Sequence, residues 1–301
     1  MQVKYRRKIT ISLTSLILAG WCAFLALGGI KWFPINLSPR CVHLSIDDAE
    51  CVFDLIENKK NYSSIFDQSF LKYIKSLHDK YGIKVSLYTF ASKPQHNASN
   101  LSITDLPEKF QREFIANSHW LRVGYHWKEQ DFKRTISVCE FSQSYKNVYT
   151  TFHHNVDSSA WTCTLRLHYF YAPDSLIKEM EDVKTLLCAD SPGRDSYNLN
   201  SRELKQLNSN RKFKKNNKTY VPTDIRIEHH PDIRKALLAH TYNDTIVIFS
   251  HEWALTPETL RVILAKIIKQ GKFNINALNR YNLNILLKEF NNNNYEYTFL
   301  E

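Results

Sequence analysis

The sequence predicts an α/β protein built on a parallel sheet of six or seven strands, and three observations predict it. Short β-prone runs recur along the chain, as at residues 42–46, 84–90 and 245–249. Patterns with helical spacing lie between them, so strand and helix alternate and right-handed crossovers are expected. Several β-prone runs stop abruptly at acids, histidines or an arginine. In parallel α/β folds the carboxyl ends of the strands share one face, and active sites gather there.

The first 35 residues stand apart. Residues 4–8 (KYRRK) are basic, and residues 9–30 carry no charge over a length that suits a membrane span. Lys4, Arg6, Arg7, Lys8 and Lys31, with no acid among them, give this segment half of the net charge of +10. We expect residues 1–35 to be a cytoplasmic basic tail and uncleaved signal anchor. Its transmembrane helix would hold the protein in the membrane and leave residues 36–301 outside the cytoplasm as one domain. A cleaved signal peptide is the competing reading. The rest of the chain is only mildly basic and has no basic helix or finger motif, so no nucleic-acid partner is expected. Of the six cysteines, none pairs as C-x-x-C, which fits neither a zinc cassette nor a disulfide framework.

Residues 42–46 read as a strand that ends in Asp47 and Asp48. Two carboxylates this close cannot both ionise freely without a cation or a hydrogen-bond network between them, which suits a metal-plus-base site. A turn or a helix cap is the plainer alternative. Phe66, Phe70, Ile74 and Leu77 make one apolar helix face, and Gly82 is a C-cap signal. Residues 84–90 alternate as a strand does. A helix is expected from Pro107 to Asn117, and residues 121–126 form a strand ending at His126. Residues 131–162 read as helix plus loop. Residues 164–170 (TLRLHYF) are strand-like and carry Arg166, His168 and Tyr169. Pro173 starts a short amphipathic helix, and residues 185–188 run as a strand toward Asp190. Residues 191–218 are a polar excursion whose basic run reads as a solvated loop or hairpin. Residues 223–228 form a further strand. The buried-strand run 245–249 ends at Ser250, His251 and Glu252. Helices at about 256–270 and 276–290 and a short terminal strand complete the chain. No G-x-G-x-x-G follows a strand, so no dinucleotide site is expected.

Polar residues thus recur at successive strand ends, in the order Ser-Ile-Asp-Asp, Gly-Tyr-His, Arg-Leu-His-Tyr, Ala-Asp and Phe-Ser-His. In that order the chain resembles the polysaccharide deacetylase (NodB-like) family, carbohydrate esterase family four, from about residue 41 to residue 256. The resemblance implies a distorted (β/α) barrel of about seven parallel strands and a divalent metal, zinc or a close relative. It implies hydrolysis of acetyl groups on a polysaccharide or oligosaccharide. Asp47 matches the catalytic base, Asp48 and His126 match metal ligands, and His251 matches the general acid. Arg166 and Tyr169 match the segment that braces the base and lines the acetyl pocket. Asp190 sits near the motif that orients the acid–base groups. Trp127, Tyr169 and Trp253 are candidates for stacking on sugar rings.

Two positions depart from the family's pattern. Gln130 stands where a second metal histidine is expected, four residues after the first, and Ala49 stands where a glycine is expected. An amide is a poor zinc ligand beside an imidazole. We expect His168 to supply the third ligand, because residues two apart on a strand share a face and Arg166 lies two residues before it. His153 and His154 are weaker choices, since their segment has no clear strand. The Gln130 departure favours one alternative, a non-catalytic carbohydrate-binding relative with a degraded metal site; a separate one is a glycoside hydrolase on a similar barrel, using Asp47 with a second carboxylate such as Asp190 or Glu252.

Overall fold

A computed structural model describes residues 40–94, 100–191, 194–258 and 276–301. The predicted anchor of residues 1–35 and most of the helix predicted at 256–270 lie outside the described residues. Among the described residues, no helix is long and apolar enough to cross a membrane.

The β-prone runs form two sheets. In the larger, β10 (Ile225–Arg226), β11 (Thr245–His251), β1 (Cys41–Asp47), β2 (Val85–Phe90) and β5 (Leu121–Trp127) lie side by side in that order, all parallel. A short strand, β12 (Glu296–Tyr297), pairs in parallel with the start of β1. In the smaller sheet, β6 (Thr164–Leu165), β7 (Thr185–Leu187) and β9 (Lys218–Val221) are parallel, and β8 (Phe213–Lys215) is the antiparallel hairpin partner of β9. A two-residue ladder joins β3 (Ser92–Lys93) to β4 (Leu101–Ser102). Every residue of β2 is buried, and so is β1 from Val42 onward, as parallel strands covered on both faces require.

The crossover helices follow from their sequences. Helix α1 (Cys51–Glu57) buries Cys51, Val52, Phe53, Leu55 and Ile56. It is hydrophobic nearly all round, so it offers no amphipathic period by which to read it from sequence. Helix α2 (Ser69–Tyr81) buries Phe70, Leu71, Ile74 and Leu77. It ends as expected at Gly82, whose φ of +66° is left-handed and whose N–H bonds the His78 carbonyl at 2.7 Å. Helix α3 (Gln111–Asn117) follows a 3₁₀ turn after Pro107, and helix α4 (Val138–Thr150) continues into a π-helical stretch, Thr151–Asp157. The polar excursion after Asp190 contains a helix, Ser201–Asn210, and the predicted hairpin, with Asn216 and Asn217 both left-handed at its turn.

The expected single barrel is corrected in one respect: the ring of strands is not closed. The two sheets meet along β5 at one isolated bridge, Val123 to Trp161, with Thr162 N–H bonding the Val123 carbonyl at 3.1 Å. On the other side, residues 222–224 carry the chain from β9 into β10. There Asp224 N–H bonds the Val247 carbonyl at 2.9 Å, tying this crossing to the larger sheet.

Gly124 makes the first seam possible. A Cβ built there would lie 2.6 Å from Leu165 Cδ2 and 2.8 Å from Thr162 Cγ2. The glycine is needed for close approach of β5 to the smaller sheet, not for unusual dihedrals. Gly124→Ala should therefore destabilise the fold by roughly 1–3 kcal/mol through overpacking. Urea unfolding reads this as a lower midpoint with unchanged slope, and an unchanged midpoint would show that the seam can move apart freely.

Candidate metal centre

The register of the larger sheet places the first site residues. β1 and β11 pair over seven residues, ending with Asp47 opposite His251. Both side chains therefore arrive at one carboxyl edge. Asp48 follows with φ of +52°. That left-handed step, which Asp tolerates better than most residues, breaks the strand's alternation and brings a second carboxylate to the same face. Ala49, in place of the expected glycine, is buried and donates its N–H to the Tyr88 carbonyl at 3.0 Å.

His126 is placed by a bulge. Thr89 pairs with Tyr125 and Phe90 with Trp127, so His126 is the unpaired extra residue of β5. Bulges re-aim side chains in this way. Its Nδ1 lies 2.6 Å from the Arg166 carbonyl. A carbonyl only accepts, so Nδ1 carries a proton and Nε2 is turned to the cavity. Nε2 stands 3.2 Å from Asp48 Oδ1 and 3.0 Å from His168 Nδ1, and His168 Nδ1 is 3.5 Å from the same oxygen.

These three atoms could hold a metal ion. Bonds of about 2.0–2.2 Å put the ligands of a tetrahedral centre about 3.3–3.6 Å apart, close to the spacing here. Asp48 Oδ1 is buried and makes no hydrogen bond. Burial opposes ionisation of Asp48, but His126, His251 and His168 outweigh it and hold the carboxyl well below the usual range. Burial likewise opposes charge on His126, yet the Asp48 and Asp47 carboxylates raise it. The gap between the three is thus a place for positive charge, as a proton or as a cation. Burial and the neighbouring His126 push His168 down to about 3, leaving it a neutral donor.

His168 arrives by a different route from the one expected. The predicted strand 164–170 ends at Leu165, and residues His168–Phe170 form a tight turn with Tyr169 and Phe170 both left-handed. The shared-face rule for a strand does not apply, though Arg166 and His168 both reach the site. Gln130 lines the same cavity, and its backbone holds a hydrogen bond to the His168 ring.

Arg166 is buried beside the pair of acids. Nη1 donates to Asp47 Oδ1 at 3.1 Å and to Ser45 Oγ at 2.5 Å, and Nη2 donates to Thr223 Oγ1 at 3.2 Å. The guanidinium also lies 4.1 Å over the Phe249 ring. His251 is held from behind by Glu228, which sequence reading passed over. His251 Nδ1 pairs with Glu228 Oε1, and Glu228 also accepts from Ser250 Oγ at 2.9 Å and Arg226 Nε at 2.9 Å. Burial would raise Glu228, but His251 and Arg226 pull it down to about 2, so it is ionised. Arg226 and Glu228 stand two apart at the end of β10, and the strand-end rule that picked out His251 applies to them too.

Two predicted residues are corrected. Asp190 is paired with His229 at 3.3 Å and Arg194 at 3.6 Å, so Glu228 and not Asp190 is the carboxylate behind His251. Trp127 is 1% exposed and packs on Phe132 and Phe141. It belongs to the core on the far side of β5 from His126 and offers no face to a sugar. Tyr169 and Trp253 do line the cavity, 61% and 45% exposed. His153 stacks on Tyr149 at 3.9 Å, among the aromatics around Trp161. The cavity has a volume of about 520 Å³. A slightly larger one, about 570 Å³, lies at the starts of β7, β9 and β11, away from all these residues.

Glu252 is turned away from the cavity. Its carboxylate accepts the Cys51 N–H at 2.9 Å at the start of α1, and burial pushes it up to about 7 from an ordinary 4.5. The folded state therefore keeps a proton that the unfolded chain gives up, and stability falls as pH rises from about 4.5 to 7. The loss amounts to about 3 kcal/mol. Glu252→Gln should abolish this fall, so its unfolding free energy should gain on the unaltered protein across that window. Parallel curves against pH would mean that Glu252 ionises freely in the fold.

No family model and no curated protein matches the chain. Among solved structures it is similar to the Xyl-CE4 domain of a multidomain xylanase from the hindgut metagenome of Trinervitermes trinervoides, with 10% identity, a TM-score of 0.44, and 87% of this chain and 88% of that one covered. It is similar to a Bordetella bronchiseptica protein described as a candidate polysaccharide deacetylase involved in O-antigen biosynthesis, with 13% identity, a TM-score of 0.39, and 82% and 90% covered. It is also similar to a CE4 family pseudoenzyme from Bacillus anthracis, with 9% identity, a TM-score of 0.32, and 88% and 71% covered. At these values the likeness carries no chemistry over to this chain, whose function rests on its own side chains.

Proposed function

We propose that the protein is a metal-dependent hydrolase that removes acetyl groups from a polysaccharide or oligosaccharide. The observation that carries this reading is the triangle of Asp48 Oδ1, His126 Nε2 and His168 Nδ1, with sides of 3.0–3.5 Å. Two imidazoles and a carboxylate suit zinc or a close relative. Such an ion supplies Lewis acidity, polarising a carbonyl and acidifying water. With His168 as third ligand, Gln130 need not be one, which favours this reading over the degraded-site alternative. The glycosidase alternative loses its second carboxylate, since Asp190 and Glu252 are engaged elsewhere.

The remaining groups divide the proton work. Asp47, fixed by the Arg166 guanidinium, stands beside Asp48 and accepts a proton from attacking water. His251, with Nδ1 tied to Glu228, keeps Nε2 toward the cavity and gives a proton to the departing amine or alcohol. Arg166 holds the base with one end and, through its carbonyl, the ring of His126 with the other. Tyr169 and Trp253 at the cavity wall offer aromatic surface for a sugar. The uncharged run of residues 9–30 supports a single-pass protein with this domain outside the cytoplasm.

Acetate release from acetylated oligosaccharides by the full-length protein tests the reading. Release should stop on addition of a chelator and return with zinc. Asp47→Asn and His251→Ala should each lower turnover by roughly a hundredfold or more with the fold kept. Activity indifferent to chelator, or an active Asp47→Asn variant, would sink it, and shortened chains without acetate would restore the glycosidase alternative.

A further inference from the structure

We propose that Trp253 is a positioning residue for Asp48: its indole N–H occupies one carboxylate oxygen, so that Asp48 offers only the other to a divalent cation. The proposal rests on the metal-centre reading and deepens it. Trp253 Nε1 lies 3.1 Å from Asp48 Oδ2. An indole N–H can only donate, so Oδ2 is committed as an acceptor. Oδ1 is the oxygen left without a hydrogen bond, and it is the one that faces His126 Nε2 and His168 Nδ1. The two oxygens of one buried carboxylate are thus given different tasks. Outer partners of this kind fix the orientation of metal ligands.

The indole is itself held in place. Its ring stacks on His251 with centroids 5.0 Å apart and planes 27° apart. Asp48 takes a left-handed backbone, so its side chain approaches the site without the strand ladder to orient it. Trp253 supplies an external constraint at that point. Without it, the carboxylate is free to turn and bind through both oxygens, which raises the coordination number and crowds out water. The same tie explains why a side chain expected only to stack on sugars is built so close to the ion-binding atoms.

Cobalt(II) is the probe, in the full-length protein stripped of metal. The unaltered protein should bind Co²⁺ with the strong visible absorption of a four-coordinate site. Trp253→Phe keeps a ring on His251 and removes the N–H. It should raise the dissociation constant for Co²⁺ by about 10–100-fold and weaken the visible bands as the coordination number rises. Thermal unfolding checks that this variant folds. In the unaltered protein, the Trp253 indole N–H should also exchange slowly with solvent although its ring is half exposed, a measurement that needs no variant. A Phe variant with unchanged affinity and spectrum, or fast exchange of that proton, overturns the proposal. An unaltered protein that fails to bind Co²⁺ overturns the metal-centre reading beneath it.

Discussion

The site depends on a guanidinium that is almost wholly buried. Arg166 is 1% exposed, and a charge so buried survives only where carboxylates, hydroxyls and an aromatic face replace its hydration. Asp47 and Ser45 from β1, Phe249 from β11 and Thr223 from the connection between β9 and β10 do this. Arginine's planar, always-charged head suits the task better than lysine's, since its nitrogens reach several partners at once. The same residue's carbonyl selects the proton position of His126. The Asp47 carboxylate and the His126 ring are thereby fixed by one residue, and neither can shift without disturbing the other.

Around that constraint the backbone departs from regular geometry at several of the residues that line the site. Asp48, Tyr169 and Phe170 are left-handed, and His126 sits in a bulge. Such non-glycine conformations cost on the order of 1 kcal/mol or more each, and they persist where the surroundings over-determine them. Here the surroundings are the fully buried strands β1 and β2, which give the carboxyl edge a rigid base. Glu228 behind His251 and the Arg166 carbonyl behind His126 follow one plan, in which one ring nitrogen is fixed so that the other faces the cavity.

Much of this was legible because polarity changes sharply where parallel strands end. The rule picked out Asp47, Asp48, His126 and His251 at the ends of strand-like runs, and the structure brings all four to one cavity. It overlooked Glu228, although residues 223–228 read as a strand ending there, because the polar residues around it looked like ordinary surface. It misplaced Trp127, since an aromatic beside a histidine looks like a sugar platform although neighbours on a strand point to opposite faces. It set Asp190 near the motif that orients the acid–base groups, and the structure pairs that carboxylate with His229 and Arg194, because a strand-end position says nothing of which ion pairs form. The run 164–170 has strand composition throughout, yet its pairing stops at Leu165 and it turns through left-handed Tyr169 and Phe170, and no residue in it announces that turn. Helix α1 was invisible for the opposite reason, being too apolar to show a face.

The seam between the two sheets has a mechanical meaning. Asp48, His126 and His251 belong to the larger sheet, while Arg166 and His168 follow β6 of the smaller one. Along this boundary the backbone contributes one isolated bridge and one close approach at Gly124. An ion gripped by Asp48, His126 and His168 would act as a rivet driven through that boundary, joining halves that the hydrogen-bond ladder scarcely stitches together. Loading and cleft width would then be two views of a single variable.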